Sequence, residues 1–153
     1  LQWLPDHPTL FPRLLSFLRS DSWLAVQMPA MHDAPLRKMQ LELARSPSFA
    51  PYLRGVPQQP SILSAENYYD LLSSRTGKLD IWETTYLHTL RGADAVAEWA
   101  AGTSLRPYLE ALPEDKRAPF RAAYAEAMRD AYPQRENGVT LLPFKRLFIV
   151  ANV

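Results

Sequence analysis

Two short apolar runs dominate the hydrophobic pattern of the chain and predict buried strands. Residues 23–28 read WLAVQM, with five apolar residues in six and no alternation of polar and apolar positions. Such a run is typical of a strand buried on both faces, as in a parallel sheet flanked by helices. A second run, residues 147–151, lies near the C-terminus. Helix, strand, helices and strand in this order predict the second half of a doubly wound α/β sheet, with the chain starting in mid-fold.

Helical periodicity fills most of the sequence between these runs. Leu10, Phe11, Leu14, Leu15 and Leu18 recur at helical spacing after a proline suited to a first helical turn, which predicts a helix over about residues 8–19. The same spacing predicts further helices at about 36–44, 65–73, 93–101, 106–109 and 114–132. Ser64 is a suitable N-cap for the helix at 65–73. In the helix at 114–132, Pro119 predicts either a kink or a start delayed to about residue 118.

Strict alternation predicts one more strand over residues 78–90, with Trp82, Tyr86 and His88 on one face. Residues 139–151 form the last predicted strand, in which Pro143 indicates a bulge or a sheet edge. Prolines cluster between residues 47 and 60 and predict a long irregular connection at about 46–61. The helices at 92–135 then form a small helical subdomain inserted before the last strand.

Composition removes several classes of function. The 17 basic and 16 acidic residues give a net charge of +1 and are scattered, so we expect no nucleic-acid partner and no membrane-surface partner. No apolar stretch approaches the roughly 20 residues of a membrane span. Cysteine is absent and the three histidines are far apart, so we expect no metal site and no thiolate catalysis. The expected location is the cytoplasm, and Leu1 indicates a processed, cleaved or trimmed N-terminus.

The residues that could carry chemistry each have a structural alternative. Trp3 is either an anchor at the start of the first helix or part of a ligand site. At least one tyrosine of Tyr68 and Tyr69 is expected to pack on the sheet. His88 in a strand is more often structural than catalytic. Arg106, at a corner between helices, is more often a surface ion than a ligand.

Taken together, the motifs resemble one family. The order and content of the following segments are similar to the trans-aconitate 2-methyltransferase family of class I S-adenosylmethionine-dependent methyltransferases: 1–7 (LQWLPDH), 24–29 (LAVQMP), 68–72 (YYDLL), 80–88 (DIWETTYLH), Trp99, 105–107 (LRP), 132–133 (YP), 136–138 (ENG) and 146–151 (RLFIVA).

The resemblance implies a domain organisation and a missing part. Residues 1–91 would be the second half of the methyltransferase core, with a proline-rich lid loop at about 46–61. Residues 92–135 would be the helical insertion or lid, and 136–153 the last strand returning to the sheet. The family's glycine-rich cofactor-binding half is not in this sequence, so we expect these residues alone to be inactive and not to bind S-adenosylmethionine. Residues 31–33 and Pro119 depart from the family's pattern in the lid region.

The resemblance also implies a reaction and a site. A methyl group would pass from the cofactor S-adenosylmethionine to a carboxylate of a small polycarboxylic acid, and no general base is expected because that carboxylate is already ionised. Gln2 and Trp3 would contact the cofactor. Arg106, Trp3, Tyr69, Tyr86 and His88 would contact the substrate. In that role Arg106 would be a buried side chain on a backbone that Pro107 holds fixed.

Two alternatives stay open: a non-catalytic fragment or small-acid-binding module, and a related methyltransferase for another small acid. We also expect that an exposed sheet edge could let the fragment associate with itself.

Overall fold

The chain forms a mixed α/β structure with a three-stranded sheet. A computed structural model describes residues 1–56 and 62–153. Its elements, in chain order, are α1 His7–Ser16, β1 Trp23–Pro29, α2 Pro35–Arg45, α3 Ala50–Leu53, α4 Ala65–Leu72, a 3₁₀ turn Ser73–Arg75, β2 Lys78–Arg91, α5 Ala95–Ala101, α6 Arg106–Ala111, α7 Glu114–Ala131 and β3 Val139–Asn152. The predicted helices and strands are therefore all present, with ends that shift by a few residues.

The sheet is antiparallel, which corrects the prediction for the first apolar run. The strand order is β1-β3-β2, and β1 runs antiparallel to β3 from the pair Trp23–Asn152 to the pair Pro29–Arg146. Burial alternates along β1, since Trp23, Ala25 and Gln27 are exposed while the residues between them are covered. The prediction of a parallel strand buried on both faces was wrong for the described residues. It failed because Trp23 and Ala25 are apolar residues on the uncovered face.

Pro143 lies in the part of β3 that β1 does not reach. The register of β1 covers residues 146–152 of β3. Proline cannot donate to a sheet hydrogen bond, so it is tolerated at an edge. This position supports the sheet-edge alternative for the first half of β3. On the other side of β3, the rings of Phe148 and Trp82 of β2 stack with centroids 5.1 Å apart.

Helix α7 is continuous through Pro119, so it does not start near residue 118. Pro119 is exposed and lies in the second turn, where the carbonyl that loses its intrahelical partner can be hydrated. The opposite face buries Phe120, Tyr124 and Met128, which holds the helix to its neighbours.

The chain divides into two compact units, and each has its own core. Of the described residues, the first unit comprises 1–31, 62–86 and 144–153, and the second comprises 32–56 and 87–143. In the first unit, one face of the sheet is covered by α1 and α4 through a cluster formed by Phe11, Leu15, Met28, Ala30, Tyr68, Leu72, Leu147, Ile149 and Ala151.

The second unit is built on the packing of α2 against α7. The ring of Phe120 contacts Phe49 edge-on, with centroids 5.0 Å apart, and is parallel to the ring of Tyr108 at 6.2 Å. The predicted irregular connection at 46–61 contains the short helix α3, whose Leu53 is fully buried. Residues 57–61 of that prediction lie outside the described part of the chain.

Candidate functional site

The N-terminal loop, Leu1–Asp6, leads directly into α1 and carries two of the predicted cofactor contacts. The Leu4 amide donates to the Leu1 carbonyl at 2.8 Å, which closes a turn around Gln2 and Trp3. Asp6 has a left-handed backbone with φ of 54°, and its carbonyl accepts the first bonds of α1. Local backbone bonds therefore define the shape of this loop.

Trp3 and Gln2 differ in exposure within that loop. Trp3 is 71% exposed, so it makes little packing contact for its size within the described residues. This exposure argues against the alternative that Trp3 is an anchor for the start of α1. Gln2 is half-buried.

A buried pair, His7 and Tyr68, lies beneath the loop and was not singled out from the sequence. Both side chains are fully buried, and Nδ1 of His7 is hydrogen-bonded to the hydroxyl of Tyr68. Nε2 of His7 lies 3.3 Å from the Leu1 carbonyl, and the Leu63 amide donates to the Tyr68 hydroxyl at 3.2 Å. Burial raises the pKa of Tyr68 to about 12, against the lowering effect of the Leu63 bond. Tyr68 is thus the tyrosine that packs on the sheet, as predicted for one of the pair.

Tyr69 and Tyr86 have accessible side chains in the same unit. Tyr69 follows the buried Tyr68 on α4, so the 100° step of a helix turns it away from the core, and it is 56% exposed. Tyr86 is 44% exposed on β2. Both side chains are therefore accessible from solvent.

The loop that follows the carboxyl end of β1 begins after Pro29. Its first residue, Ala30, still pairs with β3 by donating to the Lys145 carbonyl at 2.9 Å. His32 follows, with Nε2 3.0 Å from a carboxylate oxygen of Asp33. The other ring nitrogen of His32, Nδ1, is buried and has no hydrogen-bond partner among the described residues.

Arg106 begins α6 in the second unit and is exposed, not buried as expected from the sequence. Its side chain is 71% exposed, and Nε donates to the Glu110 carboxylate one turn later at 2.7 Å. That bond raises the pKa of Arg106 above its usual value. The spacing of four residues places both side chains on one helix face, so the ion pair could have been anticipated from the sequence.

An open groove lies beside Arg106 within the second unit. The groove has a volume of about 340 Å³ and is lined by Ala101, Leu109 and four charged residues, Arg106, Glu110, Arg117 and Arg121. Three guanidinium groups and one carboxylate make this lining positive. Its chemistry suits an anion with more than one carboxylate, because guanidinium groups pair with carboxylates through two parallel hydrogen bonds.

His88 also lies in the second unit. It is half-buried on β2, and its ring centroid lies 6.3 Å from that of Trp99 on α5. The structure therefore places His88 against an aromatic neighbour. Of the six predicted site residues, Gln2, Trp3, Tyr69 and Tyr86 belong to the first unit, and His88 and Arg106 to the second.

A second buried polar network fixes the start of α2 and was not predicted. The Leu36 carbonyl accepts from the Tyr124 hydroxyl at 3.0 Å, and the Leu36 amide donates to the Tyr132 hydroxyl at 3.3 Å. Burial raises the pKa of both tyrosines. Gln40 is fully buried and donates to the Ser104 carbonyl at 2.5 Å. These bonds join segments far apart in sequence, so a local sequence pattern does not predict them.

Residues 1–56 and 62–153 contain neither a candidate membrane span nor a candidate metal site. No helix there has the length and apolar character needed to cross a bilayer. In the same ranges, no three histidine, aspartate or glutamate side chains are grouped so that they could hold a metal ion.

Comparison with known proteins identifies the class to which the relatives of this chain belong. No family model matches the chain. Curated proteins that do match it are methyltransferases by name. The chain is 48% identical to a protein of Rhizobium meliloti (strain 1021), 45% identical to one of Sinorhizobium medicae (strain WSM419) and 41% identical to one of Mycolicibacterium gilvum (strain PYR-GCK).

Each of these relatives carries the particular name trans-aconitate 2-methyltransferase. The alignments cover 98–100% of this chain, whereas the chain spans only 59–61% of the length of the relatives. The resemblance predicted from the motifs is confirmed at this level: the chain is homologous to trans-aconitate 2-methyltransferases over nearly all of its own length.

Proposed function

We propose that these residues are the C-terminal portion of an S-adenosylmethionine-dependent O-methyltransferase. The reaction forms a methyl ester on one carboxylate of trans-aconitate or a similar small polycarboxylic acid. The observation that carries the proposal is the 41–48% identity to proteins named for this activity, over 98–100% of the chain. The chain spans about three-fifths of those proteins, so the activity is proposed for the whole protein.

The reaction requires the protein to align the reacting atoms and does not require it to transfer a proton. A carboxylate with a reference pKa near 4 is ionised at neutral pH and is already a nucleophile. The protein must hold the carboxylate oxygen, the methyl carbon and the leaving sulfur in line, with the reacting atoms about 3–3.5 Å apart, and exclude water. A site of aromatic and cationic side chains without a general base fits that task.

The N-terminal loop fits the cofactor. S-adenosylmethionine, when bound, supplies an electrophilic methyl group on a sulfonium cation. Trp3 offers an exposed indole face, and a tryptophan face attracts cations more strongly than other aromatic rings do. Gln2 offers an amide for hydrogen bonds. We assign both residues to the cofactor, and Trp3 also to the methyl-transfer channel that the substrate enters.

Cations are needed for the carboxylates that do not react. Arg106 is assigned to one of them, and its groove contains two further guanidinium groups, those of Arg117 and Arg121. Glu110 competes for Arg106, so a substrate carboxylate has to replace an existing ion pair. Tyr69, Tyr86 and His88 are assigned to polar contacts with the substrate.

The three strands are proposed to belong to a larger, doubly wound Rossmann-like sheet. β1 is an edge strand in the described part of the chain, and a further strand of the whole protein can pair with it there. The division into a core portion at 1–91, a helical insertion at 92–135 and a last strand at 136–153 is part of the same proposal. So is self-association of these residues in isolation, through the same edge.

The test uses the full-length protein and a panel of acids. Purified protein is incubated with S-adenosylmethionine and with trans-aconitate, its cis isomer, a dicarboxylate and a monocarboxylate of similar size, and release of S-adenosylhomocysteine is measured. We expect the highest kcat/KM for a tricarboxylate. Equal turnover of the monocarboxylate would favour a related methyltransferase with another substrate, and binding of acids without turnover would favour a small-acid-binding module.

A further inference from the structure

The fully buried His7 and Tyr68 form a directed chain of hydrogen bonds beneath the N-terminal loop. The Leu63 amide can only donate, so the Tyr68 oxygen accepts that bond at 3.2 Å. The Leu1 carbonyl can only accept, so Nε2 of His7, 3.3 Å away, must carry a proton to bond it. In neutral imidazole the other nitrogen, Nδ1, is then an acceptor and receives the Tyr68 hydroxyl proton. One neutral tautomer of His7 satisfies every group in the chain.

The chain of bonds joins segments that are distant in sequence. It starts at Leu63, before α4, passes through Tyr68 on α4 and His7 on α1, and ends at Leu1 in the loop. The ring of Phe11 packs on both partners, with centroids 5.4 Å from His7 and 4.9 Å from Tyr68. This packing closes the pair off from solvent, so a bond lost there is not replaced by water.

We propose that His7 and Tyr68 are positioning residues, which hold the loop so that Trp3 and Gln2 face the methyl-transfer channel. This inference rests on the proposed function, in which Trp3 and Gln2 contact the cofactor. Trp3 is exposed and cannot fix the loop by its own packing. The Leu1 carbonyl accepts both the turn bond from Leu4 and the bond from His7, so the turn that contains Trp3 is fastened to the buried pair.

The test compares three variants of the full-length protein. Tyr68→Phe keeps the ring and removes the hydroxyl. His7→Asn keeps an acceptor for Tyr68 but has no group that reaches the Leu1 carbonyl. Phe11→Leu is the matched control, because it disturbs the packing of the same cluster without removing a hydrogen-bonding group. Each variant is assayed for kcat at a temperature well below its own Tm, and the loop is followed by hydrogen–deuterium exchange.

We expect kcat to fall roughly tenfold to a hundredfold in Tyr68→Phe and His7→Asn, since small misplacements of reacting groups have effects of this size. Exchange in residues 1–6 should become faster in both. Phe11→Leu should lower Tm without either change. The inference is overturned if all three variants lose stability while kcat and loop exchange stay at the wild-type values. If wild-type protein transfers no methyl group to any acid, the proposed function fails, and loop exchange alone then decides whether the pair positions the loop.

Discussion

Among single residues, Tyr68 combines core packing with two hydrogen bonds. Its hydroxyl accepts from Leu63 and donates to His7, while its ring fills the core between α1, α4 and the sheet. A buried hydroxyl with both roles filled is stabilising, whereas a buried group left unpaired is costly. Tyr68 therefore links the ionisation state of one side chain to the stability of the first unit.

This link predicts a specific dependence of stability on alkaline pH. Burial raises the pKa of Tyr68 from 10.0 to about 12, so between these values the unfolded chain loses the proton that the folded protein keeps. The stabilising contribution is fully present below the unfolded pKa and is lost as pH rises through the folded pKa. Chemical denaturation of the full-length protein measures the free energy of unfolding as the pH rises from 10 to about 12. This free energy should fall less steeply in Tyr68→Phe than in wild type. Tyr69→Phe, which changes the exposed neighbouring tyrosine, should show the same pH dependence as wild type. The same pH dependence in wild type and both variants would refute a role for Tyr68 in alkaline stability.

Arg106 is the residue on which the substrate assignment can be judged. Arg106→Ala should weaken binding of the acid by roughly tenfold, the lower end for a charge-assisted bond because the side chain is exposed. Arg106→Lys should weaken binding of the acid less, since lysine keeps the positive charge and loses only the paired hydrogen bonds of the guanidinium group. Cofactor affinity should stay unchanged in both. These constants are measured by calorimetric titration of the full-length protein.

The control for Arg106 is its own ion-pair partner. Glu110→Gln removes the competing carboxylate and should maintain or strengthen binding of the acid. Unchanged acid affinity in Arg106→Ala would make this arginine a surface ion, as its ordinary i,i+4 pair with Glu110 suggests on its own.

At the scale of elements, local sequence rules predicted most of the helices and strands. Ser64 illustrates a rule that worked: it was predicted as the N-cap of α4, and its Oγ accepts from the Asn67 amide at 3.2 Å. The first apolar run illustrates a rule that failed. Hydrophobicity alone could not show that Trp23 and Ala25 lie on an uncovered face of an antiparallel edge strand. That outcome depends on which strand pairs with it, which is long-range information.

The Ser64 cap supports a prediction on stability. Ser64→Ala should lower the free energy of unfolding by about 1 kcal/mol, the usual loss for an N-cap side chain. Urea denaturation of the full-length protein measures this change. Ser74→Ala, at an exposed position in the following 3₁₀ turn, serves as the control and should be close to neutral. A loss in Ser74→Ala as large as in Ser64→Ala would show that the cap is not the cause.

The N-terminal loop yields a prediction that separates activity from stability. Because Trp3 is largely exposed, Trp3→Ala should leave Tm within a few degrees of wild type and should lower kcat clearly. Thermal unfolding and steady-state kinetics of the full-length protein check both parts. A large fall in Tm with intact turnover would instead make Trp3 an anchor for α1.

At the scale of the whole molecule, the sequence motifs were enough to predict the homology but not the contacts behind it. The motifs containing His7 and Tyr68 were both noticed, yet their bond joins residues 61 positions apart, and single-sequence patterns do not pair residues at that separation. The exposure of Arg106 was likewise missed, because the sequence indicated a fixed backbone there and not where the side chain ends.

Methyl-ester formation on a carboxylate can be tested by identifying the product. Full-length protein is incubated with trans-aconitate and S-adenosylmethionine carrying a deuterated methyl group, and the product is analysed by mass spectrometry before and after mild alkaline hydrolysis. We expect a singly methylated acid that loses the label on hydrolysis, as an ester must. A methylated product that keeps its label would contradict the proposed reaction, and so would the absence of any labelled acid when the protein is folded.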